Sequence, residues 1–262
     1  MLNIIRTGLD AANHEIAVLS HNLANAGTAG FKRSDTVFED HYGDKISQLA
    51  SKYTGHGTVA HAPRQNHDQG GLRPTGGALD FAVMGRGYFM LQKPDEPGGR
   101  LYSRDGSFQM AKDGLIVNNL GQPLLSAEQE VMRLPLSVDV PGEGLVMLDE
   151  IQLSPNGLIR GKYGRETVLT IGQIGLARFM NSNMLEPRGL SQFAETSASG
   201  NPLLGAADQL GFGTIAGGNL EMANTTVSDE LVSIIRAQQS FSGMSRVMQA
   251  EVDMVKRFSQ GS

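Results

Sequence analysis

The chain has 262 residues, of which 40% are hydrophobic, with 33 glycines, no cysteine, no tryptophan and a formal net charge of -5. An acidic balance without a basic stripe argues against nucleic acid as a partner. The absence of cysteine excludes disulfides and thiolate chemistry. No apolar run approaches the roughly eighteen residues that a membrane span requires.

Along residues 2–25, Leu2, Ile5, Leu9, Ala12, Ile16, Leu19 and Leu23 recur at intervals of three and four. This heptad seam predicts one helix of roughly 35 Å. The segment carries Asp10 and Glu15 and lacks a basic region followed by an apolar block, so no cleaved secretory signal is expected. Gly27 and Gly30 end the helix. From Phe31 to Thr75 the pattern is weak, with apolar patches at Val37-Phe38 and at residues 46–49, and Gly55–Gly71 reads as extended or mobile. The isolated pairs Lys32-Arg33 and Lys256-Arg257 read as ordinary solvated charge.

From Leu79 to Phe179 the period changes to two. Strands are expected at Phe81–Met84, Tyr88–Gln92, Ser107–Ala111, Leu115–Val117, Val131–Leu134, Val146–Leu153 and Val168–Phe179. The connectors Pro97-Gly98-Gly99, Asp105-Gly106, Asp113-Gly114 and Asn156-Gly157 carry the chemistry of tight turns. Gly114-Leu115-Ile116 with Gly121 is echoed by Gly157-Leu158-Ile159 with Gly164, which reads as a reused hairpin. Residues 180–222 return to Gly, Asn, Ser and Pro. A second seam then runs through Val227, Leu231, Ile234, Gln238, Phe241, Ser245, Met248, Val252 and Val255. Thr226 with Asp229 approximates a capping box. Gly243 costs this helix about 1 kcal/mol relative to Ala and would permit a bend.

Chemistry is sparse. Gly211-Phe212-Gly213-Thr214-Ile215-Ala216 matches a dinucleotide fingerprint as a string, but no strand-helix context surrounds it. His14 and His21 lie seven residues apart on one helix, too far to share a metal. His56, His61 and His67, with Asp68 adjacent, read as solvated loop histidines, with a weak metal site as the lesser alternative. Ser103-Arg104-Asp105-Gly106 reads as a turn. No nucleophile elbow, zinc helix, phosphate loop or carboxylate pair is present. No catalytic residue, cofactor or metal is therefore expected. Met244, Met248 and Met254 suit adaptable packing, whether in a core or at a subunit interface.

Two narrow seams about 200 residues apart suggest termini that pair with each other, with neighbouring copies, or with both. One such helix alone buries too little apolar surface to offset its chain entropy.

Residues 20–33, Ser-His-Asn-Leu-Ala-Asn-Ala-Gly-Thr-Ala-Gly-Phe-Lys-Arg, resemble the N-terminal signature of bacterial flagellar rod and hook proteins. Its motif positions here are Asn22, Leu23, Asn25, Thr28, Gly30 and Phe31. Gly71 to Phe89, Tyr102 to Phe108 and Asn224 to Val232 resemble three further signatures of that family, in the same order. Thr7–Ala11 and Gly30–Asp40 look like the distal rod protein, while the stretch from Phe31 to Gly57 is shorter than that protein's and keeps a proximal rod protein open.

The resemblance implies an α+β chain: paired terminal helices forming a coiled-coil-like inner domain, an extended connector and a β-rich outer domain. The boundaries read 1–30 for the first helix, 31–75 for the connector, 76–200 for the β domain, 201–223 for the return connector and 224–260 for the last helix. The interface residues would be Leu2, Ile5, Leu9, Ile16, Leu19, Leu23, Val227, Leu231, Ile234, Phe241, Met248, Val252 and Val255. It further implies a non-enzymatic structural subunit that assembles with copies of itself and with other flagellar rod and hook proteins. Export through the flagellar type III apparatus without a cleaved signal, and a periplasmic place in the basal body near the surrounding ring proteins, belong to the same expectation. The alternative is a β-rich periplasmic binding module, for peptidoglycan for example, oligomerised by its end helices.

Overall fold

The computed structural model describes residues 2–42, 55–94, 98–140, 144–164, 167–209 and 211–260; the expected apolar patch at residues 46–49 and Pro97 lie outside them. The architecture is α+β: an N-terminal helix, α1 (Leu2–Ala24), a β-rich body and a C-terminal helix, α2 (Val227–Gln260). The chain divides into two compact units, one of Met1–Ala26, Arg33–Asn66 and Thr225–Ser262, the other of Gly27–Lys32 and His67–Asn224.

In the first unit α1 packs against α2 and against a hairpin of Phe38–Tyr42 with Gly55–Ala60. The sequence of this hairpin shows little regular pattern because one strand carries two glycines. Gly57 is demanded by the approach of α1: a Cβ there would lie 2.1 Å from Thr7 Oγ1. Being covered on two sides, α1 buries more than a seam, including Ala11, Ala12, Val18 and Asn22. Gly8 admits α2 closely, since a Cβ at that position would sit 2.7 Å from Met244 Sδ.

Thr226 caps α2. Its Oγ1 accepts from Asp229 N at 3.2 Å and donates to Asp229 Oδ2 at 2.6 Å, which satisfies an orphan N–H and sets a carboxylate at the positive helix end. The helix runs unbroken through Gly243.

The second unit is built on two antiparallel sheets. The larger has the strand order Glu186–Gly189, Gln192–Ala194, Arg100–Ser103, Tyr88–Gln92, Gly175–Arg178, Leu203–Ala206. The smaller is a meander of Ser137–Val140, Gly144–Leu153, Leu158–Tyr163 and Thr167–Gln173. Strand Tyr88–Gln92 is covered on both faces: Phe89 and Leu91 enter the main core with Phe81, Ile116, Ile159 and Ile215, while Tyr88 and Met90 join Tyr102, Phe179 and Phe193. A doubly covered strand reads as a continuous apolar run rather than an alternating one.

The expected strands Phe81–Met84 and Tyr88–Gln92 are present at those bounds. Val131–Leu134 makes only isolated bridges, and Val168–Phe179 is two strands split at Ile174, which turns into the core. The unit also reaches beyond the expected span 76–200. Leu72–Pro74 pairs with Asn219–Glu221, Thr214–Gly217 pairs with Phe81–Met84, and Gly30 N donates to Glu221 O at 2.8 Å. The Gly211–Ala216 string thus runs into a strand.

The internal echo is structural. Gly114 N donates to Ala111 O at 2.9 Å and Gly157 N to Ser154 O at 2.8 Å, with φ of 79° and 80°. Each turn then delivers an isoleucine, Ile116 or Ile159, into the same core.

A Cβ at Gly243 would meet nothing within 4 Å. Gly243→Ala should therefore stabilise α2 by up to about 1 kcal/mol, read as a higher melting temperature by circular dichroism; a lower one would refute the open environment.

Candidate functional site

The two sequence seams meet within the first unit. Ile5, Leu9, Ile16, Leu19 and Leu23 are partly buried, as are Ile234, Phe241, Met248 and Val252; the side chain of Leu2 is outside the described residues. The seam on α2 is rotated from the expected one. It keeps Ile234, Phe241 and Met248 but fills its other flank with Glu230, Ala237, Met244 and Glu251. Gly8 allows a close approach to Met244 on that flank, and Ala237 on it is buried. Val227, Leu231 and Val255 are consequently 52%, 45% and 57% exposed. With Ile235, 52% exposed, they form apolar surface on α2 that is open among the described residues.

The motif after α1 divides between the units. Asn22 is buried and pairs with the backbone of Ser34 twice, Nδ2 donating to O and Oδ1 accepting from N, both at 2.9 Å. Only an amide can both donate and accept in this way. Asn25 Nδ2 caps the helix end on His21 O at 2.9 Å, and Leu23 is partly buried. In the second unit Thr28 is exposed, and Gly30 has a φ of 67° with its Cβ position 2.2 Å from Asp105 N, so no other residue fits. Phe31 is buried beside it in sequence.

The reading of Lys32 as solvated charge is overturned. Lys32 is 1% exposed, and its Nζ lies 2.6 Å from Glu221 Oε1 and donates to Asp68 O at 2.6 Å. Glu221, fully buried, also accepts from Gly70 N at 2.9 Å and from Arg104 Nη1 at 3.0 Å. Arg104 in turn donates to Gly85 O at 2.7 Å and lies 5.1 Å over the Tyr88 ring. Burial holds the Lys32 pKa below its ordinary value, with Arg104 adding to the effect and Glu221 opposing it. Removing one member of such a buried group strands the others, at a cost of about 3–5 kcal/mol, whereas replacing all of them by apolar residues can be neutral. The cluster therefore specifies geometry more than it adds stability.

His67 is likewise no solvated loop histidine. Its ring stands edge-on to Tyr88 and Phe193, with centroids 5.8 and 5.1 Å away, and its Nδ1 is 2.9 Å from Tyr88 OH. His61 is exposed and lies 2.7 Å from Glu39; the side chain of His56 is outside the described residues. Asp105 forms the expected turn, accepting from Ser107 N at 3.0 Å. Lys32, His67, Arg104 and Glu221 escaped the sequence reading. The available signal was a charged residue between Leu220 and Met222 in an otherwise uncharged stretch.

Residues 82–161 match the family model of the flagellar hook protein FlgE/F/G D1 domain, and residues 216–260 that of the flagellar basal body rod FlgEFG protein C-terminal region. The flagellar basal-body rod protein FlgG of Buchnera aphidicola subsp. Schizaphis graminum is 32% identical, across 98% of this chain and 97% of its own. The chain belongs to the flagellar basal-body rod protein family. The rod protein FlgG of Agrobacterium fabrum is 29% identical across 97% and 95% of the two chains. A flagellar hook protein FlgE from Brucella melitensis is 31% identical across 62% of this chain and 40% of its own. This rod protein is thus a structural component of the flagellar basal body. No helix among its described residues is long and apolar enough to cross a membrane.

In this rod protein, burial lowers the pKa of His67 from 6.5 to about 4; Lys32 and Arg104 add to the shift and Asp68 opposes it. Between those values the unfolded chain holds a proton that the folded chain lacks, so stability is complete above the unfolded value and falls as pH drops toward the folded one, by up to about 3 kcal/mol. Asp105, raised by burial, contributes the opposite sign at lower pH. The melting temperature should decline from about pH 7 to about pH 4.5. His67→Phe should flatten that decline; an unchanged slope would rule out His67 as its source.

Proposed function

We propose that this protein is a self-assembling subunit of the flagellar rod, built into it through its terminal helices and transmitting torque from motor to hook. The observation that carries this is the exposed apolar surface of α2, at Val227, Leu231, Ile235 and Val255. It lies in the segment that matches the rod protein C-terminal family model. Helices of neighbouring copies would cover it, extending the α1–α2 pair into a coiled-coil-like inner layer with the β-rich unit outward. Its partners are then copies of itself and other rod and hook proteins. Kinship with FlgG proteins along nearly the whole chain favours the place those relatives hold among rod subunits. The same kinship supports export through the type III apparatus and a periplasmic position within the surrounding rings.

Two substitutions separate assembly from folding. Leu231 is about half exposed, so Leu231→Asp should change the melting temperature of the isolated chain little, within about 0.5 kcal/mol in stability, yet abolish rod completion and motility. Leu9→Asp places a charge against α2 and should weaken both the isolated helix pair and the rod. Normal swimming of both variants, with basal bodies intact by electron microscopy, would overturn the assembly role.

A further inference from the structure

The chain passes between its two units four times, after residues 26, 32, 66 and 224. On the second unit's side, three of those passages converge on one buried group. Lys32 is the last residue before one, Asp68 follows the next by one residue, and Glu221 lies three residues ahead of the last. Lys32 Nζ bridges Glu221 Oε1 and Asp68 O, both at 2.6 Å. Asn224 Nδ2 donates to the same Asp68 O at 3.2 Å. Gly30 N donates to Glu221 O at 2.8 Å and Gly70 N to Glu221 Oε1 at 2.9 Å. Arg104 anchors the group to the sheet unit by donating to Gly85 O at 2.7 Å.

We infer that the Lys32–Glu221–Arg104 cluster is a mechanical node, which ties the strands arriving from both terminal helices to each other and to the β-rich unit. Its use in torque transmission rests on the rod reading; its geometry does not. Tension on α1 enters the second unit through Gly27–Lys32, and tension on α2 enters it through Asn224 and Glu221, by covalent connectivity alone. Without the cluster each strand would be held by its own short pairing. Asn219–Glu221 has only three paired residues, a short ladder to resist peeling. With it, a pull on either strand is shared by a carboxylate that no water competes for, since the side chains of Lys32 and Glu221 are both fully buried. The group is short-ranged and directional, so it yields abruptly rather than stretching.

The chain contains no cysteine, so handles for single-molecule pulling can be introduced uniquely by Ala24→Cys and Ser228→Cys in the full chain. Stretching between them loads Lys32 and Glu221 before the sheet interior. Glu221→Gln should lower the first rupture force by about half. Lys32→Met, which leaves Glu221 paired with Arg104, should lower it by less, and serves the same test if the glutamine variant fails to fold. Lys32→Met with Glu221→Gln should lose less than the two single losses added, because both remove the Lys32–Glu221 link and only the Lys32–Asp68 contact is lost in addition. Arg188→Ala, which breaks the half-exposed pair with Glu186, should leave the force unchanged. Rupture forces equal to the parent's in Lys32→Met and Glu221→Gln, or losses that simply add, would overturn the node. The measurement needs no rod, so it can fail while the assembly role stands, and the helix variants can fail while the node stands.

Discussion

A single buried carboxylate organises the β-rich unit. Glu221 is inaccessible to water and lies between two cations that are themselves nearly so. Removing any one of the three leaves charge stranded in the interior, at a cost that is a large share of the fold's net stability. The carboxylate therefore fixes which segments must come together: the loop after α1, the start of the β region, the turn carrying Arg104 and the final strand. These are separated by up to 189 residues in sequence. The two sheets supply the bulk of the burial, but the charge group decides where the ends of that unit lie.

The helical unit follows a different rule. Its geometry is set by the absence of side chains, at Gly8 and Gly57, and by Asn22, whose amide imitates a backbone pairing partner for Ser34. α2 approaches closely at Gly8 and is turned so that Val227, Leu231 and Val255 lie exposed. Under the proposed assembly, the exposed Leu231 and Val255 would be left for neighbouring copies.

Much of this was legible in the sequence, and the failures share a cause. The helices were readable because a heptad seam is a one-dimensional signal; Tyr88–Gln92 was expected on a period of two, whereas both of its faces are covered by core. The rotation of α2 was not readable, since it depends on the small residue at position 8 of the other helix. The hairpin Phe38–Tyr42 with Gly55–Ala60 was hidden by glycines placed for α1. Lys32 was misread because a charge is solvated unless something remote neutralises it, and Glu221 is remote. Local chemistry shows in local sequence; reciprocal long-range contacts leave two unremarkable halves.

The matched turns at Gly114 and Gly157 bear on how this chain can vary over evolutionary time. Each holds a positive φ and places the second residue after it in the core. Adding or deleting one residue there would flip the following strand, exchanging Ile116 for Val117 or Ile159 for Arg160 on the inward face. Substitutions can drift through the solvent side of these strands, but length cannot. Insertions and deletions among descendants of this sequence should be excluded from both turns, which makes them fixed landmarks for aligning it.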